Sequence, residues 1–341
     1  MSANHNQDFD AAVRIIETMK DCGADAVKIQ TYTADTMTID CDNEYFRIGD
    51  DMLWAGRNLY DLYKEAYTPW EWQPKLQKVA RDLGMDFFST PYDDTSVEFL
   101  KEMDIPLYKI ASFEVNDIPL IKKIAAVGKP IIMSTGMATL EEIEEALATI
   151  AIEGNEQVAI LKCTSAYPAP PEEMHLITIP DMQERFGIPI GLSDHTLSSE
   201  VAEAAVALGA CIIEKHFTLS QDDKGPDSAF SLEPDEFKAM VDAIRTVESN
   251  PAKADDLNPA ILGAVQYGTS GKDKATAKFR RSLFVVEDMQ EGEEFTHKNI
   301  RCIRPADGLA PKHLEAIIGK QATANITRGT PLVAKLIDGW L

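Results

Sequence analysis

Two histidines stand in matching surroundings. His195 lies in GLSDHTLSS, directly after the apolar run GIPI, and His216 lies 21 residues later in CIIEKHFT, again after an apolar run. Each run has the length and β-branched content of a short buried strand. One imidazole ending a strand is ordinary, but two ending successive strands can converge. Two imidazoles completed by water and substrate oxygens suit a divalent ion such as Mn²⁺. The competing reading is of two histidines satisfied separately. Asp194 and Glu214 stand close by as supporting acids. His5, His175, His297 and His313 lack such partners and read as surface or packing residues.

Two lysines interrupt apolar strands, Lys28 in AVKIQTY and Lys109 in LYKIASFE. A buried ammonium is costly unless it meets an anion. Thr90, Ser112 and Ser134 fall at neighbouring strand ends and can donate hydrogen bonds to that same anion. The chain has 56 acidic and 33 basic residues, a formal charge of −23. Lysines placed against that field point to a phosphate and carboxylate pocket. Pairing with a core acid is the plain alternative. A Schiff-base role is another, disfavoured because metal activation of a carbonyl and imine formation are usually alternatives. The aromatic stretch WAGRNLYDLYKEAYTPWEW (54–72) fits either core or a lid over a sugar face.

The elements that must position these side chains alternate between short β-rich runs and longer helical segments, as in repeated βα units. Strands are expected at DAVKIQTY (25–32), DFFSTPY (86–92), LYKIAS (107–112), PIIMST (130–135), VAILKCTS (158–165), PIGLSD (189–194) and CIIEKHFT (211–218). TLEEIEEALATI, SSEVAEAAVALG and WQPKLQKVARDLG between them carry apolar residues at helical spacing. Nearly every strand begins apolar and ends in Lys, Gln, Ser, Thr, Asp or His. In parallel β/α folds the strand C-termini form the active-site face, so these ends share one mouth. The expected fold is α/β, a (β/α)₈ TIM barrel with its first strand missing. An open sheet of seven strands is the alternative.

The texture changes after residue 245. The expected divisions are a barrel domain over 1–250, a linker with some helix over 251–280 and a small β-rich domain over 281–341. SLFVVED, IRCIRP, QATANIT and PLVAKLI are its strand-like pieces. A domain of about 60 residues has little core of its own and gains from docking on something.

Composition excludes several classes of partner. The net charge argues against nucleic acid and anionic membranes. No apolar stretch approaches the roughly 18 residues that span a bilayer. The opening MSANHNQDFD lacks the apolar centre of a secretory signal. Five cysteines, an odd count with no C-x-x-C pair, point to a reducing cytoplasm.

Taken together these residues resemble the sialic acid synthase family over nearly the whole chain. SANHNQ, VKIQTY, FFSTPYD, YKIASFE, IIMSTGM, GLSDHT, EKHFT and GPDSAFSLEP match in order and spacing. IRPADGL matches the family's C-terminal antifreeze-like (SAF) domain. GRNLYDLYKEAYTPWEW and GPDSAFSLEP look like the pseudaminate-forming branch. The resemblance implies a transferase that condenses phosphoenolpyruvate with an amino-sugar aldehyde, here 2,4-diacetamido-2,4,6-trideoxy-L-altrose, and water. Pseudaminate and phosphate would be the products. Related branches that make N-acetylneuraminate or legionaminate are the alternative.

Carried over by position, the resemblance makes His195 and His216 ligands of a divalent metal, Mn²⁺ or else Mg²⁺ or Co²⁺. Lys28, Thr90, Lys109, Ser112, Ser134 and Ser193 match the phosphoenolpyruvate pocket. Ser165 falls where neuraminate synthases have asparagine. Gln30, Glu114, Tyr167 and Asp227 match the sugar side and catalytic mouth, with Glu114 available for proton transfer. Arg304 matches an arginine that the small domain inserts into a partner subunit's site, implying a domain-swapped homodimer. One departure concerns the start. Family members carry a first strand ending in an acid just before SANHN, and the chain is expected to be inactive or poorly stable without them. A metal-dependent hydrolase or aldolase, or a non-catalytic sugar-binding protein, are the functions of other classes that the same barrel could host.

Overall fold

The computed structural model describes residues 1–49, 54–250, 257–269 and 271–340. Seven strands form one parallel sheet in sequence order: β1 (Ala26–Thr31), β2 (Asp86–Pro91), β3 (Tyr108–Ile110), β4 (Ile131–Ser134), β5 (Val158–Cys163), β6 (Ile190–Asp194) and β7 (Ile213–Lys215). Each lies within a stretch read as a strand from its apolar run. Because every neighbouring pair is parallel, all the C-terminal ends open on one side.

Helices return the chain between strands, and local chemistry fixes their ends. In Leu140–Ile152 the Thr139 hydroxyl accepts from the Glu142 amide, and the Glu142 carboxylate accepts from the Thr139 amide. This reciprocal cap satisfies two otherwise free donors. Ile143, Ala146 and Ile150 then fall on one buried face. Gln73–Asp82 and Ser199–Ala207 coincide with the other two helical readings. The inner faces of Leu140–Ile152 and Ser199–Ala207 meet the sheet in a core that includes Leu100, Ile110, Ile121, Met133, Ile160 and Leu192. Leu76 and Ala80 of Gln73–Asp82 pack in a second core with Val27, Ile29 and Phe87.

The sheet curls until its edges approach, and Lys28 of β1 pairs with Glu214 of β7 at 2.6 Å. Among the described residues no strand pairs with the outer edge of either. A cleft of about 340 Å³ lies there instead, lined by Met1, Ala26, Phe88, Ile213, Met240 and Ile244 among others. Among the described residues the curled sheet thus has seven strands, one fewer than a closed (β/α)₈ barrel.

The C-terminal unit is built on an antiparallel pair, β8 (Ser282–Val285) with β9 (Ile300–Ile303). Leu283, Val285, Phe295, Ile300, Ile317 and Leu332 make its core. QATANIT and PLVAKLI, read as strand pieces, supply only isolated bridges such as Met289–Ile326 and Phe284–Pro331. Pro331 has no amide to donate, and Ala334–Leu336 turns into a 3₁₀ helix instead of extending a ladder.

Of the stretch read as a linker, 251–256 and 270 lie outside the described residues. The rest is a strap held to the barrel. Leu176 and Ile177 amides donate to the carbonyls of Ile261 and Leu262 at 3.1 and 3.0 Å, and Ile261 is buried in the barrel core. The small unit docks over the strand ends. Arg304 N donates to Met37 O, and the Thr38 hydroxyl donates to Arg304 O, both at 2.9 Å.

Candidate active site

A cavity of about 130 Å³ opens at the C-terminal ends of the strands. Lys28, Gln30, Lys109, Ser112, Ser134, Tyr167, Ser193, His195, His216, Asp227 and Arg304 all line it. Thr90, Glu114 and Ser165, the other residues singled out from the sequence, stand behind that wall and are buried. Neighbouring strands bring these groups together in sequence order, which is why residues nearly two hundred positions apart share one mouth.

The imidazoles converge. His195 and His216 have ring centroids 5.5 Å apart, and Tyr167 and Phe230 pack against them. Nδ1 of His195 donates to the Thr164 carbonyl at 2.9 Å, which fixes the ring and leaves Nε2 for another partner. Nδ1 of His216 is buried without a hydrogen-bond partner. Burial, then the neighbouring His195, holds His216 well below the ordinary histidine range, so its ring is neutral. A neutral ring with an orphaned nitrogen beside a second oriented ring is a donor set that fits a divalent metal. Among the described residues no cluster of three His, Cys, Asp or Glu completes such a site. Further ligands would have to be water or substrate oxygens.

A cationic floor lies beside them. Lys28 Nζ meets Glu214 Oε1 at 2.6 Å, and Lys109 Nζ lies 3.9 Å from Oε2. Lys109 also donates to the Ser134 hydroxyl at 2.6 Å and to the Ile110 carbonyl at 2.9 Å. Burial lowers its ammonium to about 8, partly offset by Glu214. Burial alone would raise Glu214, but Lys109 and Lys28 hold its carboxyl down at about 2. Ser193 donates to the same carboxylate at 3.3 Å. Ser112 and Ser165 hydroxyls are 2.8 Å apart. They close around Gly136, whose φ is +50° and where a Cβ would stand 2.3 Å from Ser112 Cβ and 2.6 Å from Ser165 Oγ. Only glycine fits that backbone and that space. The Thr90 hydroxyl is buried without a partner. The lysines do pair with a core acid, Glu214, and together with the hydroxyls and the glycine cradle they form a set of donors that fits a further anion.

The opposite wall is aromatic. Trp54, Leu62, Tyr63 and Ala66 from the aromatic stretch line the cavity, joined by Tyr32, Tyr92, Phe113 and Phe279. Asp227 lies at the rim, its carboxylate accepting from the Ser2 hydroxyl and, at 3.3 Å, from the Ala3 amide. Burial raises its carboxyl above the usual range.

Arg304 closes the mouth from above. Its guanidinium donates to Glu114 Oε1 at 2.7 Å and to the Tyr63 hydroxyl at 3.2 Å, and it lies 4.9 Å from the Phe113 ring centroid. In this single chain it stands over its own barrel, whereas the resemblance implies a partner's. In the single chain the strap runs along its own barrel up to the small unit, with Lys272 N donating to Glu173 at 2.9 Å and Arg280 to Glu142 at 2.8 Å. Arg281 and Phe279, which sequence reasoning did not single out, belong to that strap and the strand start after it.

The NeuB family model matches residues 15–255, and that of the SAF domain matches residues 280–338. A pseudaminic acid synthase of Helicobacter pylori is 41% identical over 339 residues, 99% of this chain and 96% of the relative. One from Campylobacter jejuni strain 81-176 is 42% identical over 332 residues, 97% and 93% of the two chains. The crystal structure of the spore coat polysaccharide biosynthesis protein spsE of Bacillus subtilis superposes with a TM-score of 0.83 at 35% identity, covering 98% of this chain and 92% of that one.

Proposed function

The chain belongs to the NeuB family, and from that membership we propose that it joins phosphoenolpyruvate to 2,4-diacetamido-2,4,6-trideoxy-L-altrose with water, giving pseudaminate and phosphate. The observation that carries the reading is the meeting of a buried and a half-buried lysine, Lys109 and Lys28, with two converging imidazoles in one cavity. Lys28 and Lys109 bind the anionic reactant and aim its C3 at the aldehyde carbon. Ser112, Ser134 and Ser193 supply hydroxyl donors around it, with Thr90 and Ser165 standing behind them. His195 and His216 would hold a divalent ion, Mn²⁺ or else Mg²⁺ or Co²⁺, which supplies Lewis-acid polarisation of the aldehyde oxygen. A carbon–carbon bond forms from C3, water adds at C2, and the C2–O bond breaks to release phosphate. Glu114, behind the wall, serves proton transfer through Arg304, to which it is hydrogen-bonded, while Gln30, Tyr167, Asp227 and Arg304 face the sugar.

The aromatic wall favours a 6-deoxy methyl over a hydroxymethyl, a difference that a pocket reads as about 1–3 kcal/mol. The kcat/KM for the diacetamido trideoxy sugar should therefore exceed that for N-acetylmannosamine. Equal values would overturn the sugar assignment.

We also place the chain in a homodimer in which the small unit caps the partner's barrel through the contacts it makes here. Arg304→Ala chains mixed with Lys109→Ala chains should then regain activity, because one barrel receives an intact arginine in trans. No rescue in proven heterodimers would assign Arg304 to its own chain. The five free cysteines support a cytoplasmic setting. Among the described residues no helix is long and apolar enough to cross a membrane.

A further inference from the structure

Glu114 carries two guanidinium groups on one oxygen. Oε1 accepts from Arg304 Nη2 at 2.7 Å and from Arg281 Nε at 3.4 Å, while Oε2 is buried with no hydrogen-bond partner. Nε of Arg304 is buried and equally unpartnered. A carboxylate and a guanidinium left to themselves commonly meet through two parallel bonds. Here a second guanidinium holds Oε1 from another direction, and the Glu114–Arg304 pair keeps a single bond.

Arg281 is itself immobile. Its Nη1 donates to the carbonyls of Thr36 and Cys302 at 3.3 and 3.0 Å, its Nη2 meets Met37 Sδ at 3.3 Å, and Asp117 Oδ2 lies 3.9 Å from Nε. It is only 2% exposed. Thr36, Met37, Glu114 and Asp117 belong to the barrel and Cys302 to the small unit, so both halves of the molecule hold the group in place.

We infer that Arg281 is a positioning residue: by holding Oε1 it keeps Glu114 to a single bond with Arg304 and so leaves part of the Arg304 fork, which lines the cavity, free for polar groups of the amino sugar. The assignment of those free groups to the sugar rests on the proposed reaction. Without Arg281, Glu114 turns and closes a two-bond pair with Arg304, which the sugar must then break. The phosphoenolpyruvate lysines are unaffected, because Lys28 and Lys109 are organised by Glu214 and Ser134. Docking of the small unit has its own supports, among them Asn43 Nδ2 to Gly329 O at 3.0 Å and Arg328 Nη1 to Asp40 O at 2.8 Å.

The test compares full-length Arg281→Met and Arg281→Lys with the unaltered protein, each with its metal supplied and its thermal midpoint measured. Arg281→Met should raise KM for the amino sugar about tenfold or more, the scale of one charge-assisted hydrogen bond. KM for phosphoenolpyruvate should stay within about twofold, and the lysine variant should recover part of the loss. Both KM values rising together, or kcat falling with the sugar KM unchanged, would overturn the inference. Crystal structures of the same variants read the geometry without turnover. Glu114 should form two bonds with Arg304 in Arg281→Met, and an unchanged single bond would also overturn it. If the unaltered protein turns over neither substrate, the reaction is wrong, and the crystal structures still decide the positioning role. If Arg281→Met does not fold, Arg281→Gln is read in the same two ways.

Discussion

Replacing Lys109 by Met removes a cation that is 1% exposed and takes one of two ammoniums from Glu214. At about 4 Å and an effective dielectric constant near 20, an ammonium and an anion attract by about 4 kcal/mol. Part of that is returned because the buried charge no longer has to be desolvated. A net loss of about 3 kcal/mol corresponds to roughly a 150-fold fall in kcat/KM for phosphoenolpyruvate. The pH dependence is more distinctive. The Lys109 ammonium sits at about 8, so it is charged at pH 7 and loses its proton as pH rises through 8. Attraction for the anion is present below that point and lost above it, and kcat/KM reports groups of the free enzyme. Stability runs the other way: with the folded value depressed from 10.5 to about 8, the folded state gains stability as pH rises across that window. Steady-state kinetics from pH 6 to 10 should show an alkaline limb near 8 for phosphoenolpyruvate that Lys109→Met lacks. A variant with the same limb, or with kcat/KM reduced less than about threefold, would refute the reasoning.

His195→Ala and His216→Ala should each abolish metal-dependent turnover and weaken metal binding measured by calorimetry, with the circular dichroism spectrum unchanged. Undiminished activity of either variant after chelation and metal resupply would rule out the two-histidine site. Gly136→Ala should cost about 2–5 kcal/mol from its left-handed backbone and the overpacking of Ser112 and Ser165. A lowered thermal midpoint and weaker phosphoenolpyruvate binding are the expected readouts, and unchanged values would contradict the glycine cradle.

The sheet was legible because a strand buried on both faces must be apolar along its length and polar where it ends. Nearly all of the strands show that pattern; in β7, whose three residues are only half-buried at the sheet edge, the apolar part is Ile213 with the preceding Ile212. Parallel order then makes strand-end residues neighbours without further information, which is how Lys28, Lys109, His195 and His216 could be grouped. Thr90 and Ser165 were placed in the right region but stand behind the cavity surface, because successive residues of an extended chain face opposite ways. The later pieces of the small domain misled: QATANIT and PLVAKLI have strand composition, but single bridges and a 3₁₀ turn satisfy their backbone. Phe279, Arg281 and Tyr63 come from a strap, a strand start and a loop-borne helix that have no common period. Arg281 in FRRSLF reads as an ordinary charge, and only its burial against Glu114 and Asp117 sets it apart.

The central claim is that water attacks C2 and phosphate leaves with its bridging oxygen, only when both substrates are present. Phosphoenolpyruvate labelled with ¹⁸O at the bridging position tests this directly, with the released phosphate read by mass spectrometry. The account predicts labelled phosphate when the amino sugar is present and none when it is omitted. Unlabelled phosphate, or release that does not depend on the sugar, would mean cleavage at phosphorus or simple hydrolysis and would contradict it.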